Sequence, residues 1–244
     1  MRILAKSDIG KAREMNQDSY YVPDTEKQFF IVADGMGGQK AGSVASKIAV
    51  EIMSNYIDEY YNKENDKEEL LKKAVSHTNE IVYKLASENE ELKGMGTTIV
   101  AALLSDDDIY IVSAGDSRCY LIRNRMISQL TIDNSYVEVL VQQGVITKEE
   151  ANNHPDKNII TKAIGVEKNI EVETQKIKAE NGDILLLCSD GLTNMVKNEE
   201  ILDMVLDGHT NLDECVSKLV NKAIENGGKD NITVVLVEVQ NDGE

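Results

Sequence analysis

The stretch ILLLCSD at residues 184–190 is an apolar run that ends in an aspartate, which is typical of a buried β-strand followed by a polar turn. Three further segments place an acid against such a run: FFIVAD at 29–34, YIVSAGD at 110–116, and ITVVLVEV at 232–239, which follows Asp230. An acid at a strand end is held by the backbone of a rigid sheet, so several of them can converge and bind divalent cations. The four segments therefore predict a β-sheet scaffold with a centre for more than one metal ion.

The wider pattern of apolar residues predicts eight strands and three helices. The predicted strands are residues 2–8, 19–22, 29–34, 97–104, 108–114, 118–123, 183–189 and 232–239. The predicted helices, in which apolar residues return every three or four positions, are residues 43–61, 67–88 and 211–228. Because the helices come in blocks rather than alternating singly with strands, the pattern favours an α+β layered fold with antiparallel sheets packed together and helices outside.

The length of 244 residues is enough for one domain with a sizeable core. We predict a single domain over residues 1–240 and a frayed C-terminus at 241–244. Residues 135–165 stand apart, because short helical patterns there are mixed with Gly144, Pro155 and polar clusters. This segment is predicted to be a surface excursion or lid.

Composition excludes several classes of function. The 26 basic and 43 acidic residues give a formal net charge of -17, which repels nucleic acid and anionic membrane surfaces. No window approaches eighteen consecutive apolar residues, so neither a membrane span nor a secretory signal is predicted. Cys119, Cys188 and Cys215 are odd in number and form no CxxC pair. We therefore expect a cytoplasmic protein whose thiols lie mainly in the core.

The strand-end acids are candidate metal ligands. Asp34 precedes the glycine-dense turn 35–38, where the backbone can approach a cation and the Gly35 carbonyl can supply another oxygen. An Asp-Gly hairpin turn is the alternative. Asp190 and Asp230 adjoin apolar runs with few basic residues nearby in sequence, and Asp116 could hold a further ion with Asp190. Each acid alone could be a capped or solvated turn residue; their combination favours metal, because an unpaired buried carboxylate is costly.

A second candidate region lies near the N-terminus. Arg13 and Asp18 are five residues apart, just before a predicted strand. The planar guanidinium of Arg13 suits phosphate oxygens, and Asp18 could orient a metal-bound water. The alternative is a surface ion pair.

Eight ordered blocks, spanning residues 1 to about 240, resemble the bacterial metal-dependent Ser/Thr protein phosphatases of the 2C type (PPM), as a stand-alone catalytic domain. The blocks are RExNQD at 13–18, VADGMGG at 32–38, GMGTT at 94–98, AGDSRCYL at 114–121, LTIDNS at 130–135, HPDKNIITKAIG at 154–165, LLCSDGL at 186–192 and GGKDNITVVLV at 227–237.

The resemblance implies a four-layer αββα sandwich of two antiparallel sheets flanked by helix pairs, with a flap insertion at about 135–165 that contains His154 and Asn158. It also implies two core ions, Mn²⁺ or Mg²⁺. Their implied ligands are Asp34, which bridges both ions, the Gly35 carbonyl, Asp190, Asp230 and, through water, Asp18. A third, weaker ion is implied near Asp116 and Asp190.

The implied reaction is hydrolysis of phosphoserine and phosphothreonine in proteins. A water shared by the two ions would attack phosphorus in line, without a covalent enzyme intermediate, while Arg13 holds the phosphoryl oxygens. The implied partners are phosphorylated proteins, among them a cognate Ser/Thr kinase with extracellular sensor repeats. We expect a monomer.

The chain departs from the family pattern at the flap. Asp133-Asn134-Ser135 stands where DHS is usual, and Lys157 and Lys162 stand where arginine is frequent. We expect these changes to alter specificity or pH response without abolishing activity. His77 and His209 are expected to be ordinary surface or packing residues.

Two rival functions remain at this point. Cys119 and Arg125 have the spacing of cysteine-dependent tyrosine phosphatases, although the residues between them lack glycine. The other rival is a non-catalytic binding module, which would be expected to have lost one or more of Asp34, Asp190 and Asp230.

Overall fold

The structure, a computed structural model, describes residues 1–23, 27–207 and 211–240. Its strands are β1 (Arg2–Asp8), β2 (Asp18–Tyr21), β3 (Gln28–Met36), β4 (Gly96–Thr97), β5 (Ile99–Ser105), β6 (Asp108–Ala114), β7 (Arg118–Arg123), β8 (Met126–Gln129), β9 (Thr174–Lys178), β10 (Ile184–Cys188) and β11 (Ile232–Glu238). Its α-helices are α1 (Gln39–Tyr60), α2 (Lys67–Glu88), α3 (Tyr136–Gln142), α4 (Lys148–Asn152), α5 (Asp190–Thr193), α6 (Asn198–Asp207) and α7 (Leu212–Glu225).

The strands form two antiparallel sheets. One has the order β1-β11-β10-β7-β8, and the other has the order β2-β3-β5-β6-β9 with β4 paired to β3. The sheets face each other across a core in which side chains of β3, β5 and β6 pack against side chains of β7, β10 and β11. This arrangement confirms the predicted pair of packed antiparallel sheets.

Strand β3 shows why its sequence reads as a continuous apolar run. Phe30 and Val32 point into the core between the sheets, whereas Phe29, Ile31 and Ala33 point to the opposite face, under α1 and α2. Successive side chains of a strand point to opposite faces, so a strand covered on both sides is apolar at every position. Side chains of β3 therefore enter both the core between the sheets and the apolar layer under α1 and α2.

Helices cover the outer face of each sheet. The apolar faces of α1 and α2 pack on the sheet that contains β3, and those of α6 and α7 pack on the sheet that contains β10. The layers thus follow the order helices, sheet, sheet, helices, which confirms the αββα sandwich. No helix in the described ranges has the length and apolar character needed to cross a membrane.

The main helices lie close to their predicted positions. The Asp66 side chain accepts hydrogen bonds from the backbone N–H groups of Glu68 and Glu69, so α2 begins at its predicted residue. Helix α1 begins four residues earlier than predicted, because the chain enters it directly from Gly38, which has a φ of 92°. Helix α7 ends before the glycine pair at 227–228.

Strands β8 and β9 and helices α5 and α6 were not predicted. Strands β8 and β9 lie at sheet edges, where most of their side chains are exposed and the apolar pattern is weak. Helix α6 is short and buries only Ile201 and Val205, which leaves too few apolar repeats for a periodic signal.

Residues 135–165 contain α3 and α4 joined by turns, and the segment is closed at its base by backbone hydrogen bonds. The N–H of Tyr136 donates to the Ile159 carbonyl at 2.8 Å, and the N–H of Thr161 donates to the Asn134 carbonyl at 2.8 Å. These bonds bring the end of the segment back to its beginning. His209 and the predicted frayed residues 241–244 lie outside the described residues.

Candidate functional site

A cavity of about 350 Å³ opens where the ends of strands from both sheets meet. Most of the predicted site residues line it, although they come from distant parts of the sequence. Its lining includes Arg13, Asp34, Gly35, Asp116, Asn158, Asp190 and Asp230. Two predicted residues are not part of this lining, Asp18 and His154. The structure therefore brings the acids, the arginine and one flap residue to a single place.

The backbone of Asp34 is held by three hydrogen bonds to Thr97 and Thr98. Its N–H donates to Thr98 Oγ1 at 2.9 Å, and its carbonyl accepts from the Thr98 N–H at 2.8 Å and from Thr97 Oγ1 at 2.9 Å. The next residue, Gly35, packs so closely on the Gly42 carbonyl of α1 that a Cβ would collide with it. Because residue 35 is glycine, α1 can pack closely against the end of β3, where Gly35 lines the cavity.

Burial raises the pKa of Asp34, Asp116 and Asp190. Desolvation, followed by repulsion from neighbouring acids, raises the pKa of Asp34 well above its usual range. The same causes raise the pKa of Asp116 to about 7 and that of Asp190 to about 6, and Asp190 is the main source of the repulsion at Asp116. The acids are thus close enough to disfavour one another's charge, and a cation among them would relieve that repulsion.

Asp18 lies directly behind this cluster. It pairs with Asp34 across strands β2 and β3, and its Oδ2 accepts a hydrogen bond from Ser189 Oγ at 2.7 Å. Burial raises the pKa of Asp18 to about 7, although the bonds from Ser189 and Thr233 act in the opposite direction. Asp18 thus supports the cluster from one layer deeper than the cavity wall.

Three buried carboxylate oxygens have no hydrogen-bond partner among the described residues: Asp18 Oδ1, Asp108 Oδ1 and Asp190 Oδ1. Asp108 Oδ1 lies 2.9 Å from the Lys178 ammonium in an ion pair, whereas the other two belong to the acidic cluster. The other oxygen of Asp190 accepts from Asn194 Nδ2 at 2.8 Å. Burying a carboxylate oxygen without a partner costs free energy, and a divalent cation that prefers oxygen ligands can act as that partner. The donor set therefore fits Mg²⁺ or Mn²⁺.

The acids do not form a closed cage for one ion. In residues 1–23, 27–207 and 211–240, no three acidic, histidine or cysteine side chains are gathered as the ligands of a single metal. Such a geometry fits a hard cation that is bound through one or two carboxylates and keeps several waters. The Gly35 carbonyl lies at the same cavity and is an additional oxygen donor.

Arg13 contacts Asp230 rather than Asp18. Its Nη2 donates to Asp230 Oδ2 at 2.7 Å, at a position where the Arg13 side chain is 47% exposed. Few basic residues lie near Asp230 in the sequence, but the fold brings the guanidinium of Arg13 to it. The two residues are 217 positions apart, so nothing in the local sequence pattern indicated the contact.

The loop that carries Arg13 is anchored by Asn231, which sequence reasoning did not single out. Asn231 is 2% exposed; its Nδ2 donates to the carbonyls of Ile9 at 3.0 Å and Met15 at 3.1 Å, and its Oδ1 accepts from the Gln17 N–H at 2.8 Å. The adjacent pair Asp230-Asn231 at the start of a strand was its only sequence signal.

Asn134, which stands where histidine is usual, bonds to the loop that carries Asp116, and its neighbour Asp133 bonds to Arg118. Asn134 Oδ1 accepts from the Gly115 N–H at 3.1 Å, and the Asn134 N–H donates to the Gly115 carbonyl at 2.8 Å. Asp133 is engaged by Arg118, whose Nε and Nη2 reach its carboxylate at 2.9 and 2.6 Å.

The flap residues Lys157, Lys162 and His154 do not line the acidic cavity. Lys157 Nζ is 3.5 Å from Asn194 Oδ1, and Lys162 Nζ donates to the Glu171 carbonyl at 2.8 Å. His154 Nδ1 accepts from the Asp156 N–H at 3.1 Å, so His154 stabilises a turn of the flap.

The cysteine-based alternative is wrong. Cys119 is fully buried, does not line the cavity, and burial raises its pKa far above the range of a reactive thiolate. Arg125 lies in the turn between β7 and β8. Cys188 and Cys215 are also buried and free.

Comparison with known proteins gives a consistent family. The family profile described as "Protein phosphatase 2C" matches residues 10–226. The chain is 42% identical over 237 residues to "Serine/threonine phosphatase stp" of Listeria monocytogenes, covering 96% of this chain and 94% of the relative.

Solved structures agree with this match. The Mycobacterium tuberculosis serine/threonine phosphatase PstP/Ppp superposes with a TM-score of 0.90 at 35% identity, covering 98% of both chains. The catalytic domain of PstP in complex with two manganese ions superposes with a TM-score of 0.88 at 34% identity, again covering 98% of both chains.

Proposed function

The chain belongs to the protein phosphatase 2C family and is a metal-dependent serine/threonine protein phosphatase, and we propose that it hydrolyses phosphoserine and phosphothreonine at the acidic cavity. The observation that supports this site is the pair of partnerless buried oxygens on Asp18 and Asp190, beside three further acids and an arginine, among the described residues. A phosphomonoester dianion would be repelled by such a cavity unless cations neutralised it.

The proposed ligands of two core ions are Asp34, the Gly35 carbonyl, Asp190 and Asp230, with Asp18 acting through water. Bound there, Mn²⁺ or Mg²⁺ would supply an activated water for in-line attack on phosphorus, which requires no covalent enzyme intermediate. Burial, and then the charges of Asp18, Asp190, Asp116 and Asp230, raise the pKa of Asp34, which supports Asp34 as a ligand shared within the cluster. Asp116 and Asp190 together are the proposed ligands of a third, weaker ion.

Arg13 is the proposed phosphate-binding residue. It lies at the cavity wall with a partly exposed guanidinium, and its contact with Asp230 holds it there. When Asp230 binds a cation, the guanidinium becomes available to two phosphoryl oxygens, which its planar fork matches. Arg13 would then offset the negative charge that develops in the transition state.

The proposed substrates are phosphorylated proteins, including a cognate Ser/Thr kinase that carries extracellular sensor repeats. We further propose that the protein acts as a monomer in the cytoplasm. Its three cysteines are free and buried, and cysteines normally stay reduced in that compartment. Comparison of phosphoproteomes with and without the enzyme tests the kinase as a substrate. An unchanged phosphorylation state of the kinase would reject that part of the proposal.

Hydrolysis of an aryl phosphate and of a phosphothreonine peptide tests the reaction. We expect both activities to require Mn²⁺ or Mg²⁺, to disappear with a chelator, and to fall at least about 10²-fold in Asp34→Asn. Asp203→Asn, on the exposed side of α6, is the matched control and should retain full activity. Absence of metal-dependent hydrolysis in the unmodified protein would instead support a non-catalytic binding module.

A further inference from the structure

A second pocket, of about 180 Å³, lies beside the acidic cavity and shares two wall residues with it, Met36 and Ile160. Its remaining apolar wall is formed by Ala163, Val166 and Ile170. Val166 is 55% exposed although its neighbours form an apolar surface. The two pockets are therefore adjacent, one acidic and the other mainly apolar.

The wall of this apolar pocket is fixed in place by buried hydrogen bonds. Asn79 of α2 is 1% exposed; its Oδ1 accepts from the Gly165 N–H at 2.8 Å, and its Nδ2 donates to the Glu167 carbonyl at 3.0 Å. Ile164 exchanges two backbone hydrogen bonds with Thr97 of β4, at 3.0 and 2.9 Å. The pocket is thus preformed by the scaffold, which lowers the cost of binding a ligand.

Gly96 lies next to two residues that line the pocket, Met36 and Val166. A Cβ at this position would lie 2.9 Å from Val166 Cγ2 and 3.5 Å from Met36 Cγ, so Met36 and Val166 approach each other over a residue without a side chain. An apolar cavity of about 150 Å³ can hold a molecule of the size of benzene. The pocket is therefore large enough for one branched aliphatic side chain.

The position of the pocket indicates which kind of molecule brings that side chain. One residue of extended chain spans about 3.3–3.6 Å, so a pocket that shares a wall with the cavity is within reach of a residue about one to three positions from the phosphorylated one. The rim carries the exposed carboxylates of Glu167 and Glu171 and the ammonium of Lys162, which donates to the Glu171 carbonyl, so its formal charge is negative. The rim therefore disfavours an acidic residue.

We propose that the pocket formed by Met36, Ile160, Ala163, Val166 and Ile170 is a specificity subsite that receives an aliphatic side chain flanking the phosphoserine or phosphothreonine of the substrate. This inference rests on the proposed function, because it requires the phosphorylated residue to occupy the acidic cavity. It adds a preference in the substrate sequence: an aliphatic residue is accepted at this subsite and aspartate is rejected.

A set of phosphothreonine peptides tests the subsite. In an alanine background, leucine or aspartate is placed singly at each of the three positions on either side of the phosphothreonine. We expect leucine at one position to raise kcat/KM about tenfold or more over alanine, which is the usual effect of filling an apolar pocket, and aspartate there to lower it.

Variants connect this preference to the pocket. Val166→Asp should remove the leucine advantage, and the milder Val166→Ala should reduce it; the second variant retains the test if the first fails to fold. Val145→Asp places the same charge at a 62% exposed residue of the flap that lines neither pocket, and it should keep the full advantage.

Hydrolysis of an aryl phosphate, which has no flanking residues, separates the subsite from the chemistry. If the unmodified protein hydrolyses the aryl phosphate but shows equal kcat/KM for leucine and alanine at all positions, the subsite is rejected and the proposed function stands. A leucine advantage that survives in a folded Val166→Asp also rejects it. If neither aryl phosphate nor any peptide is hydrolysed, the proposed function itself fails.

Discussion

Arg13 Nη2 donates a hydrogen bond to Asp230 Oδ2 at 2.7 Å, which places the proposed phosphate-binding residue against a proposed metal ligand. The contact neutralises Asp230 and positions Arg13 at the cavity wall. Cation binding at Asp230 and phosphate binding by Arg13 are thereby expected to be linked, because one carboxylate serves both groups.

Substitution of Arg13 tests this relationship. Arg13→Ala removes a donor to the transition state, so we expect kcat/KM to fall about 10²–10³-fold. Mn²⁺ affinity, measured by calorimetry, should not fall, because the variant also removes the cation that competes for Asp230. Arg13→Lys keeps the charge but not the planar fork and should recover only part of the activity. Loss of Mn²⁺ binding in Arg13→Ala would contradict the assignment.

The buried acids predict a pH dependence of stability in the metal-free protein. Burial raises the pKa of Asp18 and Asp116 to about 7 and that of Asp190 to about 6, above their values in the unfolded chain. The folded state therefore holds protons that the unfolded state releases, and stability falls as pH rises from about 4 to beyond 7.

Urea denaturation in the presence of a chelator measures this effect. We expect the free energy of unfolding to be lower at pH 8 than at pH 5 by an amount on the order of a few kcal/mol. Mn²⁺ at pH 8 should restore stability, because it binds the folded state. Equal or greater stability of the metal-free protein at pH 8 than at pH 5 would contradict the raised pKa values of these carboxyl groups.

Asn231 is predicted to be essential to the shape of the Arg13 loop. Asn231→Ala leaves the Gln17 N–H and the carbonyls of Ile9 and Met15 without their partner, so we expect a loss of about 2–4 kcal/mol in unfolding free energy. Asn226→Ala is a matched control, because it removes one exposed bond to the Met195 carbonyl and should cost less than about 1.5 kcal/mol. Equal losses in both variants would refute the anchoring role.

Asn134 is predicted to affect metal binding through the Asp116 loop. Asn134→Ala removes the acceptor of the Gly115 N–H, so the loop that carries Asp116 is less well held. We expect the Mn²⁺ concentration for half-maximal activity to rise about tenfold, as is usual when a residue that orients a ligand is lost. Asn152→Ala, at an exposed position of α4, should leave it unchanged. An unaltered Mn²⁺ requirement in Asn134→Ala would count against a role for Asp116.

Local pattern was sufficient for the buried strands and long helices. Strands β3, β10 and β11 have apolar residues on both faces, and Asp66, immediately before α2, is a residue type that commonly caps helix starts. Edge strands β8 and β9 were not predicted, because most of their side chains are exposed and show no regular pattern of apolar residues. Their place in the sheets comes from hydrogen bonds to β7 and β6.

The aspartates and their positions beside apolar runs are written in the amino-acid sequence, as are the motifs that resemble the family, because both depend on residues that are neighbours in the chain. The sequence does not show which residues those acids contact. That Arg13 faces Asp230, that Asn231 anchors the Arg13 loop, and that an apolar pocket adjoins the cavity all follow from packing that joins distant segments. Such contacts leave no periodic or compositional trace, since their geometry exists only after the sheets have packed together.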